Sequence, residues 1–362
     1  MVPPAKPLRI ALFGDGDSPH LLKWARALAP RAELWAASSR GFLPGFDAVL
    51  PAARRLALHT RPKAAGGNVA LLRQLPRLAR WLRQVQPDWV HAHYLSSHGT
   101  LAWLAISLLG APGRLVGSAW GSDVLLTPQH SVLQRHVLQR VLRACLLCTS
   151  DSQHMAQRMR ELGAGELMCF PFGLETLPPL PEDKDEALFF ANRGLEPIYA
   201  PQRVVDAFAA VAAAWPQARL VVANDGTLRA ALQAQARALG LQQRVQFVGR
   251  LDALQQSDHY ARARWFLSLP RSDSVSVSVL EAMAHGCVPI LSDLPANREL
   301  VRSGDNGLIL ADGALPELRD LDALRVRAVE IARANHAWVA GHAMFGPCVE
   351  RFVARLRELQ PA

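Results

Sequence analysis

The chain has 362 residues, half of them hydrophobic and a fifth charged; this balance excludes extended disorder, and the length exceeds one comfortable core and suits two α/β domains. Its formal charge of +9 points to an anionic partner, a phosphorylated substrate or a membrane face, while no basic run interleaved with aromatics suggests specific nucleic-acid binding. Five cysteines leave at least one unpaired and read as reduced thiols; the C-x-x-C of Cys145 and Cys148 lies in an apolar run with no second pair at zinc spacing, so packing is expected of it.

The N-terminus, "MVPPAKPLRIALFGDG", shows no apolar core of signal-peptide length before its glycine loop, so a cytoplasmic chain is expected. "LRIALFG" reads as a strand, "HLLKWARALA" as a helix and "AELWAAS" as the next strand, an alternation that predicts a parallel sheet. Between the first two, "FGDGDSPH" has Gly14 and Gly16, but Pro19 replaces the third glycine of a dinucleotide fingerprint. "VALLRQLPRLARWLRQVQ" predicts a helix over about 70–85, with Leu71, Leu75, Leu78, Leu82 and Val85 on one stripe and Arg73, Arg77, Arg80 and Arg83 mostly off it; Pro76 is its expected kink. "PDWVHAHY", the helix "GTLAWLAISLLG" and "GRLVGSAWGSD" follow, which brings His93 and Asp123 to the carboxyl edge of the sheet, where open α/β sheets bind ligands. The apolar "LAWLAISLLGAP" is too short to cross a bilayer.

A boundary is expected at "LETLPPLPEDKDEALFFANRG", where prolines and a charge cluster precede a new strand. The alternation then repeats, so the expected domains are residues 1–175 and 176–339, with an amphipathic helix over 340–362 crossing back to the first domain. On that helix Val349, Phe352, Val353 and Leu356 share one side.

Residues 272–286, "SDSVSVSVLEAMAHG", alternate Ser and Val as a strand would, yet they connect two apolar strands, "WFLSLP" and "CVPILSD". A parallel sheet needs a crossover there, so the stretch reads as a loop and a helix. That helix starts near Ser276 or Ser278, where a hydroxyl can cap it, and ends before Gly286. Unpaired amides at its start, preceded by small residues, suit an anion such as a diphosphate. Asp273 falls in the loop and Glu281 in the first turn or so of the helix, and read alone they are as readily a turn acid and a helix-favouring glutamate as ligands.

"SVLEAMAHGCVPILSDLPANRELVRSGDNGLIL", with "VANDGTLRAALQAQARALGLQQRVQFVGRL" before it, resembles the carboxyl half of the retaining, family 4 type glycosyltransferases, and "DWVHAHY" followed by "SAWGSDVL" is similar to their amino half. The resemblance runs roughly from Arg9 to Leu310. It implies an α/β GT-B fold: two facing Rossmann-like domains with parallel sheets and a cleft between them, the amino domain on the acceptor side and the carboxyl domain holding a nucleotide-sugar donor.

The family's signature is a pair of glutamates separated by seven residues, the first on the donor sugar and the second on the ribose. Glu281 matches the second, and Asp273, one methylene shorter, stands at the first. Ser274, Val275 and Ser276 would offer backbone N–H groups to phosphate or sugar. His93 is assigned to the reacting sugar, whereas His91 reads as structural. Gly14 and Gly16 fit the family's loop over the donor phosphates, Arg193 its diphosphate-binding arginine, and Arg250, within Gly249 to Leu251, a base contact. Asp123 is placed on the acceptor side or caps the next helix. The lysine that usually follows Arg193 is absent, with Ile198 and Tyr199 in its place, and Arg203 is a substitute cation. "DGD" formally matches a D-x-D metal motif, but neither a metal nor a cofactor is expected.

The expected function is therefore retaining transfer of a sugar from a nucleoside-diphosphate sugar, a UDP-sugar by preference, to a glycan or lipid-linked acceptor in bacterial cell-surface synthesis. A peripheral contact with an anionic membrane is expected with it. The rival readings are a nucleotide-sugar epimerase and an impaired nucleotide-sugar-binding protein.

Overall fold

The computed structural model describes residues 7–60 and 69–360; the stretch ahead of Pro7, on which the expected lack of a leader rests, lies outside them. The chain forms two compact units, one running to Phe170 and resuming at Phe345, the other spanning Pro171–Met344. The sequence reading puts these divisions at 175 and 339.

The first unit holds seven parallel strands: β1 (Arg9–Gly14), β2 (Glu33–Ser38), β3 (Arg55–Ala57), β4 (Trp89–His93), β5 (Arg114–Ser118), β6 (Leu147–Ser150) and β7 (Leu167–Cys169), in the order β3-β2-β1-β4-β5-β6-β7. The second holds six: β8 (Asp185–Ala191), β9 (Arg219–Ala223), β10 (Val245–Gly249), β11 (Ala263–Ser268), β12 (Val288–Ser292) and β13 (Leu308–Leu310), in the order β10-β9-β8-β11-β12-β13. Central strands such as β4, β11 and β12 are buried along their whole length, which is why they read as apolar runs and not as alternating ones. Each sheet reverses its strand order once, between β1 and β4 in the first unit and between β8 and β11 in the second. Those reversals open the crevices in which such sheets receive ligands, at the strands' carboxyl ends.

The last helix, Phe345–Glu358, returns to the first unit because its apolar face fits there: Phe345, Val349, Phe352, Val353 and Leu356 are buried. The rings of Phe345 and Phe352 meet Trp24 edge-on at 5.0 and 5.3 Å, and Arg355 pairs with Glu166 on the β7 side. Burying each phenylalanine stabilises by about 2–3 kcal/mol.

Two local readings change. The helix expected over 70–85 is two helices, Val69–Leu72 and Leu75–Val85. Pro76 sits in the first turn of the second, where its missing N–H breaks no helical bond, so it starts a helix instead of kinking one. In the second unit, the incoming Gly173–Leu174 lies against the outgoing Ala343–Met344, with the Leu174 N–H donating to the Ala343 carbonyl at 2.9 Å. A Cβ on Gly173 would stand 1.7 Å from that same oxygen.

Candidate functional site

In the first unit the sequence-derived residues gather at the reversal between β1 and β4. Gly14 ends β1 and lies beside His93, which ends β4; a Cβ on Gly14 would come within 3.2 Å of the His93 Cβ and 2.7 Å of Leu21. Gly16 is pressed against the Gly41 carbonyl, 2.4 Å from where its Cβ would be, and its N–H donates to Ser38 Oγ at 2.8 Å. Close approach thus accounts for both glycines.

His93 is buried, and Trp120 Nε1 donates to its Nδ1 at 3.1 Å. The neutral ring therefore carries its proton on Nε2, and that N–H is buried without a partner among the described residues. Burial first, and then the neighbouring His91, His98 and His20, hold its pKa well below 6.5. A buried donor left unpaired costs about 1–3 kcal/mol, which an oxygen acceptor on a ligand would recover. His91 bonds Ser118 Oγ through Nε2 at 2.7 Å, and its Nδ1 is likewise buried without a partner among the described residues.

Asp123 is fully buried, with Oδ2 accepting from the Leu95 N–H at 2.8 Å and Oδ1 from the Trp120 N–H at 2.9 Å. It ties the loop after β4 to the loop after β5 and so positions Trp120, the donor to His93. Burial raises its pKa to about 6, against the pull of those amides. The acids of "DGD", Asp15 and Asp17, both pair with Arg40, at 3.3 and 3.1 Å. Asp15 also accepts from Ser39 Oγ, which is bonded in turn to His98 Nε2.

In the second unit the residues gather at the reversal between β8 and β11. Arg193 leaves the end of β8, and its Nη2 donates to Asp273 Oδ2 at 2.5 Å while Nη1 donates to Ser276 Oγ at 2.8 Å. Tyr199 lays its ring on the guanidinium, 4.4 Å from Cζ to centroid. Burial raises the Asp273 pKa, Arg193 opposing it. Ser276 is the N-cap of the helix Val277–Ala284, yet its hydroxyl makes no bond to the helix amides. Arg193 has claimed it, so those amides are left without the expected cap. Ser274 and Val275 are buried in the loop ahead of the helix, the Ser274 N–H donating to Asp273 Oδ1 at 3.1 Å.

Glu281 lies beyond the first turn of that helix, which holds no acid. Its Oε2 accepts from the Tyr260 hydroxyl at 3.0 Å, and that hydroxyl accepts from Asn192 Nδ2 at 2.7 Å. Burial and then Glu281 keep the phenol protonated, its pKa pushed well above 10. The helix ends on His285 and Gly286, the latter at φ +72°, with Cys287 N–H bonded to Ala282 O and Gly286 N–H to Met283 O. This double closure demands a left-handed residue after the cap, which glycine provides without strain.

Arg250 is exposed just past β10, two strands from β8, or about 10 Å across the sheet. The structure thus joins Arg193, Asp273 and Ser276, holds Glu281 by a separate network, and leaves Arg250 apart from them. Sequence reasoning misses Tyr260, Asn192 and Tyr199. A tyrosine at an inward helix position and an asparagine just past the end of a strand are the only traces of this arrangement along the chain.

Residues 9–152 match the family model described as glycosyl transferase 4-like, and residues 175–320 the model described as glycosyl transferases group 1. The chain is 26% identical over 349 residues to the phosphatidyl-myo-inositol mannosyltransferase of Mycobacterium leprae, covering 87% of this chain and 86% of that protein. A stretch of 145 residues is 32% identical to the GDP-mannose:cellobiosyl-diphosphopolyprenol alpha-mannosyltransferase of Xanthomonas campestris, covering 35% of this chain and 37% of that one. Among solved structures, Anabaena HepE in complex with UDP and glucose is similar with a TM-score of 0.77 at 17% identity, over 97% of this chain and 100% of that one. Sucrose-phosphate synthase from Thermosynechococcus elongatus gives 0.74 at 15%, over 97% and 99%. These structural likenesses show the GT-B fold.

Proposed function

The chain is a glycosyltransferase of group 1, and we propose that it transfers a sugar from a nucleoside-diphosphate sugar, a UDP-sugar by preference, to a glycan or lipid-linked acceptor in bacterial surface glycoconjugate synthesis. The carrying observation is the convergence of Arg193, Asp273, Ser276 and the amide-bearing start of the Val277–Ala284 helix at the carboxyl edge between β8 and β11. Guanidinium and amide dipoles meet the charge that develops on the departing diphosphate, a preorganised form of stabilisation that needs no side-chain nucleophile and no metal. In the second unit Asp273 orients substrate hydroxyls and Glu281, fixed by Tyr260, takes the ribose; in the first unit the buried Nε2–H of His93 offers a donor to a substrate oxygen. The acceptor oxygen bonds to the anomeric carbon as the phosphate oxygen leaves, on one face of the sugar, and the diphosphate carries away the acceptor's proton, so configuration is retained.

A membrane-side acceptor is supported by charge. The neighbouring helices Leu75–Val85, Thr100–Leu109 and Val132–Ala144 contain no Asp or Glu. Arg73, Arg77, Arg80, Arg83, Arg135, Arg140 and Arg143 are exposed in this layer, together with Leu72, Leu108, Val132 and Leu133. Basic groups mixed with apolar ones suit an anionic lipid surface. No helix among the described residues is long and apolar enough to cross a membrane.

A thermal-shift panel of UDP, GDP, ADP, CMP and their sugars tests the donor. At a hundredfold over its dissociation constant a ligand of the folded state adds ~2.7 kcal/mol, and no shift with any of them sinks the reading. Turnover of a sugar nucleotide without acceptor would point to an epimerase instead. Flotation with anionic and neutral vesicles tests the membrane face, which falls if neither is bound.

A further inference from the structure

We propose that the amino edge of the second unit holds a binding site for a phosphorylated sugar, separate from the carboxyl edge at which Arg193 and Asp273 stand. Arg219, Arg244, His259 and Arg262 line a groove of about 140 Å³ there. Strand register builds it. Arg219 stands opposite Leu188 on β8, and Val221, two residues on, stands opposite Gln246 on β10, so all four face one side of the sheet. On that side the helix Ala253–Arg262 lays His259 flat on Phe190, ring centroids 5.2 Å apart, and Arg262 ends the same helix. Leu188 and Val221 are the floor, with room above them for roughly ten waters, more than an inorganic phosphate needs. Arg219 opens β9, roughly 13 Å along the strand from its carboxyl end, so a phosphate held here is not the donor's.

Charge names the occupant. Three guanidiniums line the groove and no carboxylate does. Arg219 is answered by Asp185 at 2.5 Å, whereas Arg244 and Arg262 have no carboxylate partner among the described residues. Arg244 is held by carbonyls at the end of the helix Pro201–Ala214, its Nη1 donating to those of Ala212, Pro216 and Trp215 at 2.9, 3.1 and 3.3 Å. These bonds fix the guanidinium without neutralising it. Two positive charges remain, and a phosphate monoester carries nearly two negative ones at pH 7, so one such group closes the balance through charge-assisted hydrogen bonds. Beside the arginines, the carboxamides of Gln243 and Gln246 and the His259 ring are the neutral donors and acceptors that sugar hydroxyls require. Burial and then Arg262 hold the His259 pKa below 6.5, Asp258 opposing them; a dianion seated beside the ring would favour its protonated form.

NMR titration of the His259 ring in the full chain, with glucose 6-phosphate, inorganic phosphate, glucose, and sodium chloride at matched ionic strength, tests the site. Both phosphates should raise the His259 pKa, glucose 6-phosphate at the lower concentration, while glucose and chloride leave it in place. In calorimetry Arg262→Gln should weaken glucose 6-phosphate ten- to hundredfold, as loss of a charged hydrogen bond does, at an unchanged melting temperature, and Arg262→Lys should restore most of the loss. The site is overturned if His259 responds to neither phosphate at millimolar concentration, if chloride moves it as far, or if Arg262→Gln binds within twofold of wild type. Inorganic phosphate binding as tightly as glucose 6-phosphate overturns the sugar. None of these outcomes bears on the donor reading.

Discussion

Asp273 and Arg193 form a 2.5 Å ion pair with both side chains four-fifths buried, 19% exposed each, and so the carboxylate expected to touch the sugar is also the counter-ion of the arginine beside it. Replacing Asp273 with Ala strands a buried guanidinium and should cost about 1–3 kcal/mol of stability. Nucleoside-diphosphate affinity should hold or rise, because a repelling charge is removed, while transfer falls ten- to hundredfold. Urea unfolding and steady-state kinetics read the two effects separately; unchanged turnover would remove Asp273 from the site.

Tyr260→Phe deletes the hydroxyl that donates to Glu281 Oε2 without changing ring packing against Phe190 and His285. Stability should drop by ~1–2 kcal/mol. If Glu281 holds the ribose, nucleoside affinity should weaken several-fold, with ribose and 2′-deoxyribose ligands brought closer together. A variant that discriminates between them as wild type does would detach Glu281 from the ribose.

Acid should unfold the first unit steeply. Burial holds His91 at about 3, His98 at about 4 and His93 well below 6.5. The unfolded chain takes up these protons below about 6.5 and the native chain does not, so stability is lost as pH falls. Asp123 works in the opposite sense: raised to about 6, it keeps in the native state a proton that the unfolded chain gives up above about 4, and its contribution declines as pH rises through that window. Near pH 5.5 the balance is about two protons bound on unfolding, or ~3 kcal/mol per pH unit. Unfolding midpoints between pH 7.5 and 5.5 check this, and His98→Asn should remove about one proton from the slope.

Lys184 sits in the charge cluster that marks the domain boundary in the sequence, where a solvated linker is the natural reading. Instead its Nζ donates to the carbonyls of Tyr260, Ala263 and Ala261 at 2.6, 2.8 and 3.2 Å, closing the end of the helix Ala253–Arg262 on which Tyr260 stands. Lys184→Met should cost ~1–2 kcal/mol, softened because Cys287 Sγ also reaches the Tyr260 and Ala263 carbonyls. The loss should appear as weaker nucleoside binding too, since Tyr260 holds Glu281. Chemical denaturation and titration of this variant measure both.

What could be read along the chain is what repeats locally. Strand and helix periods were enough to predict two parallel sheets, and with them the carboxyl edges at which His93, Arg193 and Asp273 stand. The N-cap at Ser276 and the stop at Gly286 are equally local signals. The partners are not: Arg193 and Asp273 are 80 positions apart, and Tyr260 and Glu281 belong to different helices. The Ser276 hydroxyl shows the limit well, because propensity predicts a helix cap and a distant arginine takes the oxygen. Lys184 was obscured in the same way, since a charged residue in a charge cluster reads as solvated until the fold shows which carbonyls surround it, and the amides of Leu95 and Trp120 that hold Asp123 are as invisible along the chain.

Gly173 carries a consequence for anyone who maps this protein by saturation mutagenesis. With the Ala343 oxygen 1.7 Å from where any Cβ would go, every substitution there demands a backbone shift, and an activity screen would score the position as strictly as Glu281. A parallel abundance measurement would separate the two, the glycine failing in both assays and the glutamate only in the first.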